Sequence, residues 1–232
     1  MNWQEIQSLP DGKGYHYDGK PLFKAFLLAL NFHEPGLAAV SDEQGAYHID
    51  VQGEPIYKQR YLRSFGYYHQ RAAVIDHSGW FHIDIRGRRA YDTAFAWTGN
   101  YQDGLCVVRD QQAEYFHINL YGEPLYARRY AYCGDYKEQV ACVRHKDGFY
   151  QHINALGEPI NDRRFNDLGV FHKQFATARD ERGWHHISRA GEARYPERYL
   201  VTEPFYNGFA LVETFDGKKL IISESGDIVH QV

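Results

Sequence analysis

Five histidines recur at a nearly constant interval along the chain. They are separated by 34, 35, 35 and 34 residues, at His48, His82, His117, His152 and His186. If the segments that carry them surround a common axis, one imidazole per segment could form a ring that holds a metal ion or an anion. The alternative is that each histidine hydrogen-bonds its own turn or a neighbouring backbone carbonyl. We prefer the alternative, because metal sites break repeat symmetry to bring three or four ligands together, and we predict neither a metal nor a cofactor.

Two further repeated columns could bind a ligand. Aromatic residues occur two positions before four of the histidines, at Trp80, Tyr115, Tyr150 and Trp184. Arginines precede a second set of aromatic residues and could contact an anionic partner; they are Arg60, Arg129, Arg164 and Arg198. Successive strand residues face opposite ways, so the arginines are expected to bridge adjacent repeats while the rings pack inside. These eight residues are the candidate binding residues.

Motifs for catalysis are absent from the sequence. There is no Gly-x-Ser-x-Gly, no His-Glu-x-x-His, no Walker-type loop and no Gly-x-Gly-x-x-Gly between a strand and a helix. We therefore predict no catalytic residue. An enzyme with a site in a central channel is the weakest of three function classes, and a cluster of perturbed histidines or carboxylates would revive it.

The elements that carry these residues are predicted to be short strands. Turn signals every 8–12 residues separate runs of 4–7 residues rich in Val, Ile, Tyr and Phe, and no unit leaves room for a helix. In the first complete unit we predict strands over 37–42, 45–50 and 54–58, and a short fourth strand around 60–68. The chain is thus predicted to be all-β, with six units of about 34–35 residues. A propeller-like ring is the preferred arrangement, and an open, curved β-solenoid is the alternative.

The first 35 residues look like an incomplete capping unit, and 36–232 contain the six repeats of the same domain. One column inside the repeats is always small. Its members are Ala38, Ala72, Cys106, Ala141, Ala176 and Ala210. A position that is small in every copy predicts a buried site close to the backbone of a neighbouring unit.

The repeated tract resembles the bacterial WG (KWG) repeat family. The matching residues are Trp80-Phe81-His82-Ile83-Asp84-x-x-Gly87 and Trp184-His185-His186-Ile187-Ser188-x-x-Gly191. The glycine of the family's name is replaced by a large residue, and Ala46 stands where the tryptophan is expected. The resemblance implies β repeats with a binding role. It extends to the repeat region that precedes a methyltransferase domain in some longer bacterial proteins, but no such domain is present in these 232 residues.

Composition narrows the class of partner. The net charge of −4 argues against a dedicated nucleic-acid binder. The odd number of cysteines (Cys106, Cys133 and Cys142) predicts reduced thiols without an intrachain disulfide. We see no signal peptide in the first 14 residues, and the longest apolar stretch, 21–32, is too short to cross a bilayer. These features predict a cytoplasmic protein that does not act at a membrane.

Two function classes remain besides an enzyme. A non-catalytic scaffold that binds a protein or peptide is preferred, because repeats supply an extended surface. A lectin-like carbohydrate-binding module is the alternative, because aromatic residues make up 16% of the chain and can stack on sugar rings. Exposure of Trp80 and Trp184 in pockets would favour the lectin, whereas burial would favour the scaffold.

Overall fold

The computed structural model describes residues 1–232 and is built of β-strands. It contains 22 strands and no α-helix, and the one helical element is a 3-10 turn at Trp3–Glu5. The prediction of an all-β chain is confirmed. No helix in the structure is long and apolar enough to cross a membrane.

The strands form seven antiparallel sheets, and each sheet uses strands that are consecutive in the chain. Sheet 1 contains β1 (Gln7–Ser8), β2 (Tyr15–Tyr17) and β3 (Lys20–Leu22). Sheet 2 contains β4 (Leu28–His33), β5 (Leu37–Asp42) and β6 (Gly45–Ile49). Sheet 3 contains β7 (Arg63–Tyr68), β8 (Arg71–Asp76) and β9 (Gly79–Asp84). Sheet 4 contains β10 (Trp97–Thr98), β11 (Cys106–Arg109) and β12 (Tyr115–Ile118).

The remaining three sheets repeat this plan, and the last one has an added strand. Sheet 5 contains β13 (Tyr132–Cys133), β14 (Ala141–Arg144) and β15 (Tyr150–Ile153). Sheet 6 contains β16 (Asp167–Leu168), β17 (Ala176–Asp180) and β18 (Gly183–Ile187). Sheet 7 contains β19 (Val201–Thr202), β20 (Phe209–Glu213), β21 (Lys219–Ser223) and β22 (Ile228–Gln231). Six sheets of the repeat type thus follow one shorter sheet.

The predicted third strand, over 54–58, is wrong. This segment makes only an isolated bridge between Ile49 and Pro55, followed by a hydrogen bond from the Ile56 N–H to the His48 carbonyl (3.1 Å). Copies with Arg89 or Ala193 at the position of Pro55 form the same isolated bridge, so the proline is not what ends the pairing; in these copies the chain leaves the edge of the sheet after one residue pair. The predicted fourth strand exists as β7, but it pairs with β8 of the next sheet. Each sheet therefore begins with the strand that ends the preceding sequence unit.

The tract after the histidine folds as a side-chain-capped turn in the copies with Asp or Asn, as the Asp/Asn/Ser-x-x-Gly pattern predicts, whereas the Ser188 copy forms the turn through its backbone alone. In the first copy the Asp50 carboxylate accepts from the Gln52 N–H (2.9 Å) and the Glu54 N–H (3.0 Å). The Gly53 N–H donates to the Asp50 carbonyl at 3.0 Å. Gly53 has a φ of +83°, a conformation that glycine adopts without steric cost.

The structure forms two compact units. The first comprises 1–113 with 117–124, and the second comprises 114–116 with 125–232. The core of the first unit includes the fully buried Tyr15, Tyr47 and Ile83. Cores of the second unit are centred on Ile187 and Ile222.

The small column is buried in every copy, as predicted. The exposed fractions of its side chains lie between 0% and 4%, in Ala38, Ala72, Cys106, Ala141, Ala176 and Ala210. One member of the column contacts the preceding sheet: the Cys106 Sγ lies 3.9 Å from the His82 Nε2. Sheet 4 thus packs its small residue against the histidine of sheet 3. The three cysteines are buried and form no disulfide.

Candidate functional site

The histidine column lies inside the protein. The exposed fraction of each imidazole is at most 2%, in His48, His82, His117, His152 and His186. His48 shows the arrangement: its Nδ1 lies 2.5 Å from the Tyr57 hydroxyl, and its Nε2 lies 2.7 Å from the Phe65 carbonyl oxygen. Phe65 belongs to β7, so the ring joins sheet 2 to the first strand of sheet 3.

The same pair of contacts recurs in other copies. His82 is held by the Tyr91 hydroxyl (2.5 Å) and the Gly99 carbonyl (3.0 Å). His186 is held by the Tyr195 hydroxyl (2.5 Å) and the Glu203 carbonyl (2.9 Å). In each case the hydroxyl comes 9 residues later and the carbonyl 17 residues later.

Chemistry fixes the protonation state of these rings. A carbonyl oxygen only accepts, so the Nε2 must carry the proton and donate it. The Nδ1 is then the acceptor, and the tyrosine hydroxyl donates to it. Burial lowers the pKa of His48, His82 and His186 to about 4, because an imidazolium would lose its hydration. The neutral rings of His48, His82 and His186 therefore lie between sheets and are hydrogen-bonded through both nitrogens.

An aromatic column that the sequence analysis missed covers these histidines. It consists of Phe32, Tyr67, Tyr101, Tyr136, Phe171 and Phe205, all of them buried. The ring centroids of His48 and Tyr67 lie 4.6 Å apart, and His186 stacks on Phe205 at 3.8 Å. The signal was available in the sequence, because these residues follow the same 34–35-residue interval.

The fourth copy departs from the arrangement. Its His152 Nε2 lies 2.8 Å from the Gly169 carbonyl, but its buried Nδ1 has no hydrogen-bond partner. The residue 9 positions later is Asn161 in place of tyrosine. Asn161 instead donates its side-chain amide to the Arg189 carbonyl (3.0 Å) and accepts from the Arg163 N–H (2.9 Å).

The structure does not bring the histidines together. Each belongs to a different sheet, and no group of three or more His, Cys, Asp or Glu side chains is placed to hold a metal ion. The imidazole contacts seen in His48, His82 and His186 use both ring nitrogens.

The arginine column packs on aromatic faces and on carboxylates. The Arg60 guanidinium lies 3.8 Å above the Tyr47 ring, and that of Arg129 lies 3.7 Å above Phe116. In the unit that has alanine at this position, Arg89 takes the same place over Phe81 (3.8 Å). Two members form ion pairs as well: Arg164 with Asp147 (2.7 Å) and Arg198 with Asp180 (2.8 Å). The guanidinium groups of these arginines are therefore engaged by rings and carboxylates of the protein itself.

The aromatic candidates are half-buried at the start of the third strand of sheets 3, 4, 5 and 6. Their backbones form isolated bridges with the aromatic residues that follow the arginines, as between Trp80 and Phe95 or Trp184 and Tyr199. The Trp80 ring stacks on Phe65 with centroids 5.2 Å apart and planes at 17°. The four residues concerned are Trp80, Tyr115, Tyr150 and Trp184.

A large open cavity lies elsewhere, in the first unit, at the tips of three successive hairpins. Its volume is about 960 Å³. Its lining comes from the turns that join the first two strands of sheets 2, 3 and 4, and includes His33, Glu34, Tyr68, His69, Gln102 and Asp103. None of the eight candidate binding residues lines it. It contains no serine, threonine, cysteine or lysine.

The hairpin tips are joined to one another. The Asp103 N–H donates to the His69 Nε2 at 3.0 Å, and the His33 and Tyr68 rings lie 4.9 Å apart. His69 and Asp103 both have positive φ values, +49° and +50°, as two-residue hairpin turns require. Burial lowers the pKa of His33. The cavity is thus a fixed surface built from short turns.

Unlike the framework, the tip residues differ from repeat to repeat. The position occupied by His69 holds Asp103, Glu138, Lys173 and Asn207 in later copies. In the second unit, Glu138 accepts from the Lys173 N–H at 2.8 Å, as His69 accepts from Asp103 in the first. Sequence reasoning missed these residues because it looked for columns that repeat.

Comparison with solved structures shows the fold class. Crystal structures of a eukaryotic initiation factor (TM-score 0.55, 10% identity, covering 98% of this chain and 72% of that one) and of Hsv2p from Kluyveromyces lactis (0.52, 10%, 98% and 94%) are similar to it. BamB from Moraxella catarrhalis is also similar (0.50, 13%, 98% and 86%). The neighbours are propeller-like proteins, and the likeness at this identity concerns the fold alone. No protein-family model matches the sequence, and no curated protein is similar to it.

Proposed function

We propose that this protein is a non-catalytic binding module that recognises a protein or peptide through the hairpin tips of its first unit. One observation carries the proposal. The histidines and arginines that repeat make contacts within the protein, whereas residues that vary between copies lie together around a cavity of about 960 Å³. A rigid framework that presents variable turn residues is the usual design of a binding surface. The propeller-like neighbours support a scaffold role.

The charge of the cavity favours a partner segment that carries a positive charge. Glu34 and Asp103 line it, and neither carboxylate takes part in an ion pair. Tyr68, which is 36% exposed, adds an aromatic face on which a cation can rest. No lysine or arginine lines the cavity, and the nearby Arg71 donates to the Gln70 carbonyl at 3.2 Å.

Neither alternative gains support from a specific observation. A lectin would need the tryptophan column open in pockets, but Trp80 and Trp184 are half-buried and neither lines the cavity. The arginines proposed for anion binding are engaged within the protein. Membership of the WG repeat family and a cytoplasmic location remain proposals from the sequence.

We also propose that the sheets close into a propeller-like ring. The contact between Cys106 of sheet 4 and His82 of sheet 3 and the similarity to propeller-like proteins support this arrangement. A compact 232-residue chain has a radius of gyration of about 17 Å. Seven sheets stacked openly at about 10 Å spacing would extend roughly 70 Å. Small-angle scattering should therefore give a compact value, and a radius of gyration above about 21 Å would favour the open solenoid.

A peptide-display selection tests the binding proposal. Peptides that bind the wild type should contain lysine or arginine and should bind Tyr68→Ala and Asp103→Ala at least tenfold more weakly. Tyr121→Ala is the matched control, because Tyr121 is also an exposed tyrosine but lies away from the hairpin tips. Peptides that bind all four proteins equally would show that the tips are not the binding surface.

A further inference from the structure

The first complete repeat lacks the aromatic residue that the next four repeats carry at the start of the third strand of their sheets. The residue is Ala46, where later copies have Trp80, Tyr115, Tyr150 and Trp184. In sheet 3 the Trp80 ring lies nearly parallel to Phe65, which belongs to the first strand of the same sheet. The equivalent of Phe65 in sheet 2, 35 residues earlier, is Leu30. A ring at position 46 would therefore lie over Leu30.

An apolar cleft occupies this place. Its volume is about 310 Å³, and Leu28, Leu30 and Ala46 of sheet 2 line it. Leu62 and Phe65, at the first strand of sheet 3, complete its lining. An apolar cavity of about 150 Å³ already accommodates a benzene ring, so the cleft has room for an indole.

The rim of the cleft exposes leucines to solvent. Leu27 is 62% exposed, Leu28 45% and Leu62 57%. Neighbouring exposed leucines around an apolar cleft are typical of a protein interaction site. Arg63 is the only charged residue in the lining, and it makes no ion pair. A segment that enters the cleft would meet one positive charge and no negative one.

We propose that this cleft, lined by Leu28, Leu30, Ala46 and Leu62, receives an aromatic side chain from a protein partner. The partner's ring takes the place that the chain's own tryptophan fills in sheet 3. A carboxylate beside that ring pairs with Arg63. That the occupant belongs to a protein rests on the proposed binding function, whereas the capacity of the cleft for an aromatic ring does not.

Titration with indole tests the capacity of the cleft. Wild-type protein should bind one equivalent saturably, with NMR shifts at Leu28, Leu30 and Leu62. Ala46→Trp should fill the cleft from within and lose this binding by at least tenfold. The matched variant Trp80→Ala should open the equivalent space in sheet 3 and take up a second equivalent. A wild type that binds no indole, or an Ala46→Trp protein that still binds it, overturns the proposal.

Two dipeptides test the charge of the occupant. N-acetyl-Trp-Asp amide should bind several-fold more tightly than N-acetyl-Trp-Lys amide, and Arg63→Gln should remove the difference. Equal binding of the two dipeptides by the wild type would contradict the pairing with Arg63.

The two proposals fail separately. Tyr68→Ala and Asp103→Ala should leave indole binding unchanged, because neither residue lines the apolar cleft. If indole binds but the selected peptides do not depend on the hairpin tips, the cleft proposal is supported and the proposal of binding at the tips is wrong. If indole does not bind while the tips select basic peptides, the cleft proposal alone is wrong.

Discussion

At the scale of single residues, the histidines are structural because His48, His82 and His186 each have two hydrogen-bond partners at fixed distances along the chain. His48 and His186 are enclosed by a tyrosine hydroxyl on one side and a strand carbonyl on the other. Their spacing suggested a ligand set, but spacing along a chain does not show whether side chains converge. In the structure they form no group of three or more ligands, and the nitrogens of His48 and His186 are used in hydrogen bonds.

The incomplete fourth copy leads to a first prediction, that Asn161→Tyr stabilises the protein. The new hydroxyl would donate to the buried His152 Nδ1, which now has no partner. One satisfied hydrogen bond contributes about 0.5–1.5 kcal/mol, and a buried unsatisfied group costs about 1–3 kcal/mol. We expect a net gain of about 1 kcal/mol in the free energy of unfolding, measured by urea denaturation.

Asn161→Phe is the control for this prediction, because it supplies the ring without the hydroxyl. It should be less stable than Asn161→Tyr. Equal stability of the two variants would mean that the hydrogen bond to His152 does not form.

The small column gives the second prediction, that Ala176→Leu lowers stability more than His152→Ala. Ala176 is 2% exposed, so the added methylenes have no space and should cost about 1–3 kcal/mol or more. His152 retains a single hydrogen bond, to the Gly169 carbonyl. Urea denaturation should rank the variants in this order. The reverse order, together with destabilisation of the wild type by a chelator, would return the histidines to a metal-binding role.

At the scale of elements, consecutive repeats interlock through the turn glycines. An added Cβ at Gly87 would lie 2.3 Å from the Tyr57 ring, and one at Gly122 would lie 2.4 Å from Tyr91. Each of these tyrosines belongs to the preceding sequence unit. The glycine that permits the turn is therefore also the surface on which the previous repeat rests its ring.

Gly87→Ala and Gly217→Ala separate the two roles of such a glycine, and this is the third prediction. Both residues have positive φ, +74° and +84°, but a Cβ at Gly217 would contact nothing within 4 Å. Gly217→Ala should cost about 1–2 kcal/mol from backbone strain alone. Gly87→Ala should cost about 1–3 kcal/mol more, because it also displaces Tyr57. Thermal unfolding measures both; equal losses would show that the ring contact is unimportant.

The sequence could not show where one sheet ends and the next begins. Periodicity locates a strand within each unit, but it does not say which unit supplies its hydrogen-bond partners. The segment around 60–68 was recognisable as a strand, yet its pairing with β8 depends on contacts across the unit boundary. The segment with Pro55 looked like a strand because its flanking residues are apolar, but it forms only one bridge, as do the copies with Arg89 and Ala193 in place of the proline.

At the scale of the whole molecule, the buried histidines make stability depend on pH. Burial lowers the pKa to about 4 in His48, His82, His152, His185 and His186. An unfolded histidine titrates near 6.5, so the unfolded chain binds the protons first. The stabilisation is therefore complete above pH 6.5 and is lost as the pH falls towards 4.

The fourth prediction is a steep loss of stability between pH 6.5 and 4. Each histidine should account for about one proton taken up on unfolding near pH 5, and for at most roughly 3 kcal/mol over the full range. Urea denaturation as a function of pH measures the slope. His186→Gln should reduce this slope by about one proton. A flat profile would contradict the neutral buried state.

The fold class followed from the sequence, whereas the candidate site did not. Matching columns at one interval, with turn residues between them, determine an all-β repeat architecture. The candidate binding residues were chosen from the same columns, although residues such as Arg60 and His82 serve the packing of their repeats. Residues that distinguish one copy from another, such as His69 and Ala46, are visible as departures from the repeat, but the cavities that they line are known only from the folded chain.

The one-way connection of each histidine to residues further along the chain affects how the protein emerges from the ribosome. For His48, the tyrosine hydroxyl that donates to Nδ1 is 9 residues downstream. The carbonyl that accepts from Nε2 is 17 residues downstream. At about 5–20 residues per second, translation supplies the second partner roughly 1–3 s after the histidine itself. Each new sheet is therefore completed only after part of the next repeat has been synthesised. The nascent chain can fold from its amino end, one repeat behind synthesis.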